Sequence, residues 1–327
     1  MADKINRIER ALDSLKPLEA SCTLCPRECR VDRRAGQAGV CRSGSQAIIS
    51  HALLHFGEEP ILSGCHDDTA DKMNSRGSGT IFFAGCNLKC LFCQNYQLSW
   101  LTQGRTVTDE ELAAVMLDLQ RQGAYNINLV SPTHLVLPIL RALKIAWARG
   151  LRLPLVYNSN GYEKIEIIEQ LAGIIDIYLP DLKYFSPGVS NKYSGAADYF
   201  SRASLVLQEM YCQHPDLVLD DENIAGQGLI IRHLVLPGQT TDSLAILDWL
   251  AKNFSSSLCL SLMSQYRPCY RAPQELQRPL HPDEYRAVIS KAKELGFENL
   301  FLQPDLFPPD EHLVPDFDQR EPFRWKK

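Results

Sequence analysis

The sequence predicts an α/β fold, a curved and barrel-like parallel sheet with a cysteine-rich extension in front of it. Three observations carry this prediction. Beyond Gly79, six short β-rich runs alternate with helical patterns, the rhythm of parallel strands joined by right-handed crossovers. Eight of the 11 cysteines (Cys22, Cys25, Cys29, Cys41, Cys65, Cys86, Cys90, Cys93) fall in the first 93 residues, where an even spread would place about three. The 327 residues are 45% hydrophobic and 22% charged, an ordinary globular balance with room for one large core plus an appendage. The expected organisation is an N-terminal helix and cysteine-rich extension over 1–78, the barrel core over 79–265, and a C-terminal helix, strand and tail over 266–327.

In chain order, residues 4–20 carry helical spacing (Ile5, Ile8, Ala11, Leu12, Leu15) that ends near Pro17. Residues 21–44 are polar, rich in Arg and Gly, and have no apolar period, so a core of their own cannot fold them and something must staple them. Residues 47–55 read as a strand and 66–79 as a loop. The barrel strands are expected at 80–84, 126–131, 153–159, 174–180, 229–236 and 258–263. Helices are expected between them, including 108–122, where Thr108 and Glu111 stand in capping-box spacing, and 240–253. A helix over 281–295 with Pro282 in its first turn and a strand over 298–303 extend the pattern, and the Pro-rich tail reads as a wrap over the surface. In such a sheet, functional residues sit just after the strands.

Charge excludes one class of partner: a net −5 leaves no basic footprint for nucleic acid. No apolar run approaches the ~18 residues of a membrane span, and residues 1–16 scatter charges where a secretory segment would be apolar. The expectation is a soluble cytoplasmic protein with neither nucleic-acid nor membrane partners, and cysteines kept as thiols.

Directly after the first barrel strand stands Cys86-Asn87-Leu88-Lys89-Cys90-Leu91-Phe92-Cys93, spaced C-x3-C-x2-C. Three thiolates in one tight loop can hold three irons of a 4Fe-4S cluster and leave the fourth open, whereas zinc or an ordinary ferredoxin would want a fourth local ligand. Upstream, Cys22-x2-Cys25-x3-Cys29-x11-Cys41 supplies four soft ligands, suited to zinc or to a closed second iron-sulfur cluster; spacing does not choose between them.

On the first motif, with Phe92 before its last cysteine, the sequence resembles the radical S-adenosylmethionine (SAM) superfamily. The phrases Cys25-Pro26-Arg27, Gly57-Glu58-Glu59-Pro60, Gly79-Thr80-Ile81-Phe82-Phe83-Ala84-Gly85 and Tyr266-Arg267-Pro268 look like its pyruvate formate-lyase activating enzyme-like branch. The resemblance implies a partial (β/α)6 radical SAM barrel and an oxidoreductase. A 4Fe-4S cluster on Cys86, Cys90 and Cys93 would reductively cleave SAM to methionine and a 5′-deoxyadenosyl radical, the electron coming from a donor such as flavodoxin or ferredoxin. It further implies that Phe92 contacts the adenine, that Asn158 and Asn160 line the SAM site, that Asp181 and Lys183 act catalytically and reach SAM, and that His233 lies on the ribose side. The family's Gly-Gly-Glu motif is absent; Ser131-Pro132-Thr133-His134 stands in its place, and Ser131 and Thr133 can still accept hydrogen bonds from an ammonium group. Asn158 stands where activating enzymes usually carry an aspartate.

Other polar clusters are read as structural. Cys65 and His66 with Asp67, Asp68 and Asp71 make a solvated loop, Arg76 to Gly79 a turn, and His51 and His55 ordinary strand packing, a substrate-facing role for the two histidines being kept open by the adjacent Glu58-Glu59 pair. Cys212, Cys259 and Cys269 are isolated. Three functions remain: activation of a glycyl-radical enzyme, radical modification of another protein, peptide or small molecule, and a noncatalytic iron-sulfur electron carrier.

Overall fold

The computed structural model describes residues 2–64, 76–303 and 313–323. The chain begins with an amphipathic helix, α1 (Ala2–Leu15), whose buried Ile8, Ala11 and Leu15 repeat at helical spacing. Its ladder gives way to a 3-10 turn over Lys16–Glu19, where Pro17 has no N–H to donate. Residues 21–46 form no helix or strand and are shaped by bonds such as Cys22 N–H to Val31 O and Arg30 N–H to Cys22 O, both 2.9 Å.

Next come β1 (Ala47–His55), the one-turn α2 (Pro60–Ser63), β2 (Ser78–Phe83), the one-turn α3 (Tyr96–Ser99) and β3 (Arg105–Val107). The expected alternation then runs through α4 (Asp109–Arg121), β4 (Ile127–Val130), α5 (Val136–Ala148), β5 (Leu155–Ser159), α6 (Ile165–Gln170) and β6 (Ile177–Pro180). It continues through α7 (Pro187–Ser194), α8 (Tyr199–Gln213), β7 (Val218–Leu219), β8 (Ala225–Leu234), α9 (Thr240–Asn253), β9 (Cys259–Met263), α10 (Pro282–Glu294) and β10 (Asn299–Leu302). All the expected strands are present, β1 with its expected ends and the others with shifted ones, and the capping box at Thr108 and Glu111 forms as its spacing requires. The short edge strands β3 and β7 carry too few residues for a period to register.

Sheet order is β10-β9-β8-β6-β5-β4-β2-β1-β3, with β7 beside β8. Neighbours from β2 to β10 along this path pair in parallel, while β1, β3 and β7 are antiparallel additions. The fold is therefore α/β with a mostly parallel sheet, in keeping with a partial barrel whose two ends are β10 and β3. Helices bury their apolar stripes on its outer face, where Leu112, Met116, Ile139, Leu143, Ile246 and Leu250 lie in the main core.

The inner face is layered. At the floor, Ile61 and Leu62 of α2 pack on Val156, Ile177, Leu179 and Ile230. Above them sit charged groups, described below, and above those the strand ends open into a cavity. The tail corrects one expectation: residues 313–323 do not merely cross the surface. Phe317 and Phe323 pack with Phe82, Leu98 and Val130, and Phe317 is almost wholly buried. Gln97 of α3 holds this strap, donating to Asp316 and Asp318 (both 3.1 Å) and accepting from Phe317 N–H (2.8 Å), while His51 Nε2 and Gln319 O lie 2.9 Å apart. Among the described residues no helix is long and apolar enough to cross a membrane. Cys65, His66, Asp67, Asp68 and Asp71 lie outside the described residues.

Candidate active site

The loop leaving β2 carries the three-cysteine motif, and Gly85 lets it turn. Gly85 has φ +84°, and a Cβ there would stand 2.4 Å from Cys41 O and 2.7 Å from Ser43 Oγ, so the loop is pressed against the N-terminal cysteine segment where no side chain fits. Each of the three sulfurs faces a donor. Cys86 Sγ accepts from Asn160 Nδ2 and from Leu88 N–H, both at 3.4 Å; Cys90 Sγ accepts from Ser194 Oγ at 3.1 Å; Cys93 Sγ accepts from Ser99 Oγ at 3.2 Å. Donors aimed at sulfur favour thiolate. Burial and the neighbouring Cys90 push the Cys93 thiol up to about 12 and raise Cys86.

These cysteines line a cavity of about 660 Å³ at the C-terminal ends of the parallel strands. Phe92, Ser131, Asn158 and Asn160 line it too, as do Asp181 and Lys183. Lys183 Nζ donates to Asp181 at 2.7 Å; burial opposes its charge, but Asp181 and the sulfurs of Cys90 and Cys93 outweigh burial and hold it protonated. Ser131 is left-handed at φ +60°, a conformation costing a non-glycine residue ~1–2 kcal/mol, at the turn that ends β4. The turn after β5 needs Gly161 (φ +76°), where a Cβ would meet Asp181 O at 2.3 Å; this close approach sets Asn160 beside the β6 end.

Deeper in the cavity, Arg232 of β8 donates to Glu59 (Nε to Oε1, 2.8 Å) and through Nη2 to both Glu58 and Glu59. Asn128 Nδ2 adds a bond of 2.9 Å to Glu58. Burial would raise the Glu58 carboxyl, but Arg232 and His55 hold it well below the usual range.

Two expected positions lie elsewhere. Side chains alternate along a strand, and because Arg232 and Leu234 of β8 face the cavity, His233 between them faces away. Its ring nitrogens are engaged with Leu182 O (2.7 Å) and Ser243 Oγ (2.9 Å), leaving none for a ribose. Thr133 is buried behind the wall and donates to Glu163 at 2.5 Å. Burial lifts the Glu163 carboxyl to about 7 against the bonds from Thr133, Ser159 and Tyr157 that lower it.

Residues 80–204 match the family model of the radical SAM superfamily. The chain is also 28% identical over 312 residues to "Uncharacterized protein MJ0674" of Methanocaldococcus jannaschii, covering 91% of this chain and 82% of that protein. It is similar, at 13% identity and a TM-score of 0.47, to a solved structure described as "Native anSMEcpe with bound AdoMet and Kp18Cys peptide". That match covers 66% of this chain and spans 60% of the neighbour's length.

The radical SAM family implies a 4Fe-4S cluster and SAM, and the donor set fits: three cavity-facing sulfurs, each with its own hydrogen-bond donor. A lone ion needs its thiolates ~2.3 Å away, whereas a cluster brings its own iron and sulfide. Among the described residues no three His, Cys, Asp or Glu side chains gather closely enough to hold one ion. That holds for Cys86, Cys90 and Cys93 as it does for the N-terminal Cys22, Cys25, Cys29 and Cys41. They do share a neighbourhood: burial, with Cys41 and Cys22 adding, pushes Cys25 up to about 12, and burial, with Cys22 and Cys29 adding, raises Cys41 despite Arg33.

The sequence reasoning missed Arg232 and the arginine that ties the two cysteine segments together. Arg27, of the Cys-Pro-Arg phrase, donates to Asn87 O (2.8 Å), Gly195 O (2.5 Å) and Ser194 O (3.0 Å), and so braces the radical SAM loop against the residue that bonds Cys90. Arg232 has a sequence signal, a lone charge inside the apolar run 229–236, which calls for a buried counter-charge.

Proposed function

We propose that the protein is a radical SAM oxidoreductase whose three-cysteine loop binds a 4Fe-4S cluster and whose strand-end residues bind SAM. The observation that carries this reading is the convergence of Cys86, Cys90 and Cys93 with Phe92, Asn158, Asn160, Asp181 and Lys183 on one cavity. When bound, cluster and SAM supply reductive cleavage to methionine and a 5′-deoxyadenosyl radical, which abstracts hydrogen from a substrate. The chain's own part is to orient and to exclude water. Lys183 and Asp181 supply one fixed cation and one fixed anion for the zwitterionic and ribose groups of SAM; the left-handed Ser131 turn offers a hydroxyl and carbonyls to its ammonium group. Glu58, Glu59 and Arg232 form the polar end of the cavity, where a substrate would meet two carboxyl groups held on one guanidinium.

The strap favours a small molecule over the glycine loop of a glycyl-radical enzyme. Residues 313, 315 and 323 line the cavity, so a partner's loop would first have to displace them. The N-terminal cysteines are read as a second cluster in preference to zinc. Arg33 supports this: it is buried, its side chain donates to His134 O through Nη1 (2.7 Å), and among the described residues its Nε and Nη2 have no partner, a positive charge suited to an anionic cluster nearby.

Reconstituted without oxygen and given dithionite, the protein should turn SAM into 5′-deoxyadenosine and methionine. Alanine at Cys86, Cys90 or Cys93 should abolish this; cleavage undiminished in the triple variant would sink the reading.

A further inference from the structure

Each SAM cleaved needs one electron from outside the chain. Resting on the radical SAM reading, we propose that the face made by residues 40–42, Lys89, Trp100, Leu101, Tyr270 and Arg271 docks an acidic one-electron carrier protein. Three segments distant in sequence meet on this face, and its centre is bonded to the cysteine loop. Trp100 Nε1–H donates to Cys90 O at 2.9 Å, Lys89 Nζ donates to Ser99 O at 2.5 Å, and Ser99 Oγ donates to Cys93 Sγ. An electron arriving at the indole is a few bonds from two of the proposed cluster ligands.

Charge selects the partner. Lys89 Nζ lies 5.4 Å and the Arg271 guanidinium 5.6 Å from the Trp100 ring centre, and Arg42 donates to Trp100 O. Among the described residues none of these three cations forms an ion pair with a carboxylate, although the chain carries net −5. A positive spot on a negative molecule orients an acidic partner at encounter and disfavours the molecule's other faces. The middle of the spot is apolar: Leu101 is 51% exposed and Val40 41%, and Tyr270 stacks on Tyr96 with ring centres 4.9 Å apart. An apolar centre with a charged rim is the anatomy of a protein contact.

The electron balance is simple. One electron leaves the carrier, which rises by one oxidation step. It ends on sulfur as the 5′ carbon–sulfur bond of SAM breaks, one electron of that bond staying with carbon, and no proton moves.

The test uses reconstituted holoenzyme, with 5′-deoxyadenosine as the readout. Dithionite is compared with two acidic carriers, reduced flavodoxin and reduced ferredoxin. At least one carrier should drive cleavage in the parent protein, at a rate that falls with added salt. Arg42→Glu/Arg271→Glu should lose about tenfold or more of the carrier-driven rate and most of its salt dependence, while the dithionite-driven rate and iron content stay unchanged. Leu101→Asp, which removes no cation, should lose carrier-driven rate alone. The proposal is overturned if neither carrier works where dithionite does, if the variants keep the carrier-driven rate, or if they lose both rates equally, which would make the arginines props for the loop. Absence of dithionite-driven cleavage in the parent would instead remove the radical SAM reading, and the docking face with it.

Discussion

Single charges do most of the shaping in the cavity. Lys183 sits 2.7 Å from Asp181 and is held protonated by it and by two sulfurs, so its replacement removes a cation that nothing nearby can supply. Lys183→Met should weaken SAM binding roughly tenfold, the loss of one charged hydrogen bond of ~1.5–3 kcal/mol, with the visible spectrum of the cluster unchanged; equilibrium dialysis checks it. Glu163 has the opposite character, a buried carboxyl with hydroxyl partners and a folded pKa of about 7 against an ordinary 4.5. A raised acid holds its proton longer in the folded state, so its contribution to stability is complete below pH 4.5 and is lost as pH rises through 7. That amounts to about 3 kcal/mol. Unfolding in denaturant at pH 5 and pH 8 should show this loss in the parent and little of it in Glu163→Gln. At this scale Cys86, Cys90 and Cys93 were legible in the sequence, because a tight loop puts its ligands side by side whatever the rest of the fold does. Arg232 was not, because its carboxylate partner Glu58 is 174 positions away and only the closed sheet brings them together.

Elements were legible where local chemistry decides them. The helix over Thr240–Asn253 and the Thr108–Glu111 capping box follow from period and spacing alone. His233 illustrates the limit: the strand was expected, but which of two adjacent residues faces inward depends on register against β6 and β9, and a one-residue difference exchanges the two faces. The strap was read as surface wrap because its apolar residues follow no period; Phe317 is buried by what it meets, Phe82 and Leu98, and not by a pattern of its own. Phe317→Ala should therefore cost ~3–5 kcal/mol of strap docking while the barrel stays folded. Hydrogen exchange should then accelerate in residues 313–323, leaving β5 and β6 protected; equal acceleration everywhere would mean that the strap is part of the global core.

In the whole molecule, two cysteine groups flank one rim, joined by Arg27 and by the contact of Gly85 with the Cys41 backbone. Their independence is testable. Cys25→Ser should lose one metal centre and keep the other, and metal analysis of a Cys86/Cys90/Cys93 triple alanine variant should then return iron with sulfide; zinc in that variant would reduce the N-terminal group to a staple. The strap gives this arrangement an order in time. Residues 313–323 are synthesised after every strand, and the 21 residues from the end of β10 to Phe323 take about 1–4 s to add. During translation the barrel can form around an uncovered cavity, so the nascent chain passes through a stage in which iron and sulfide could be delivered to the three thiols before the strap lies across them.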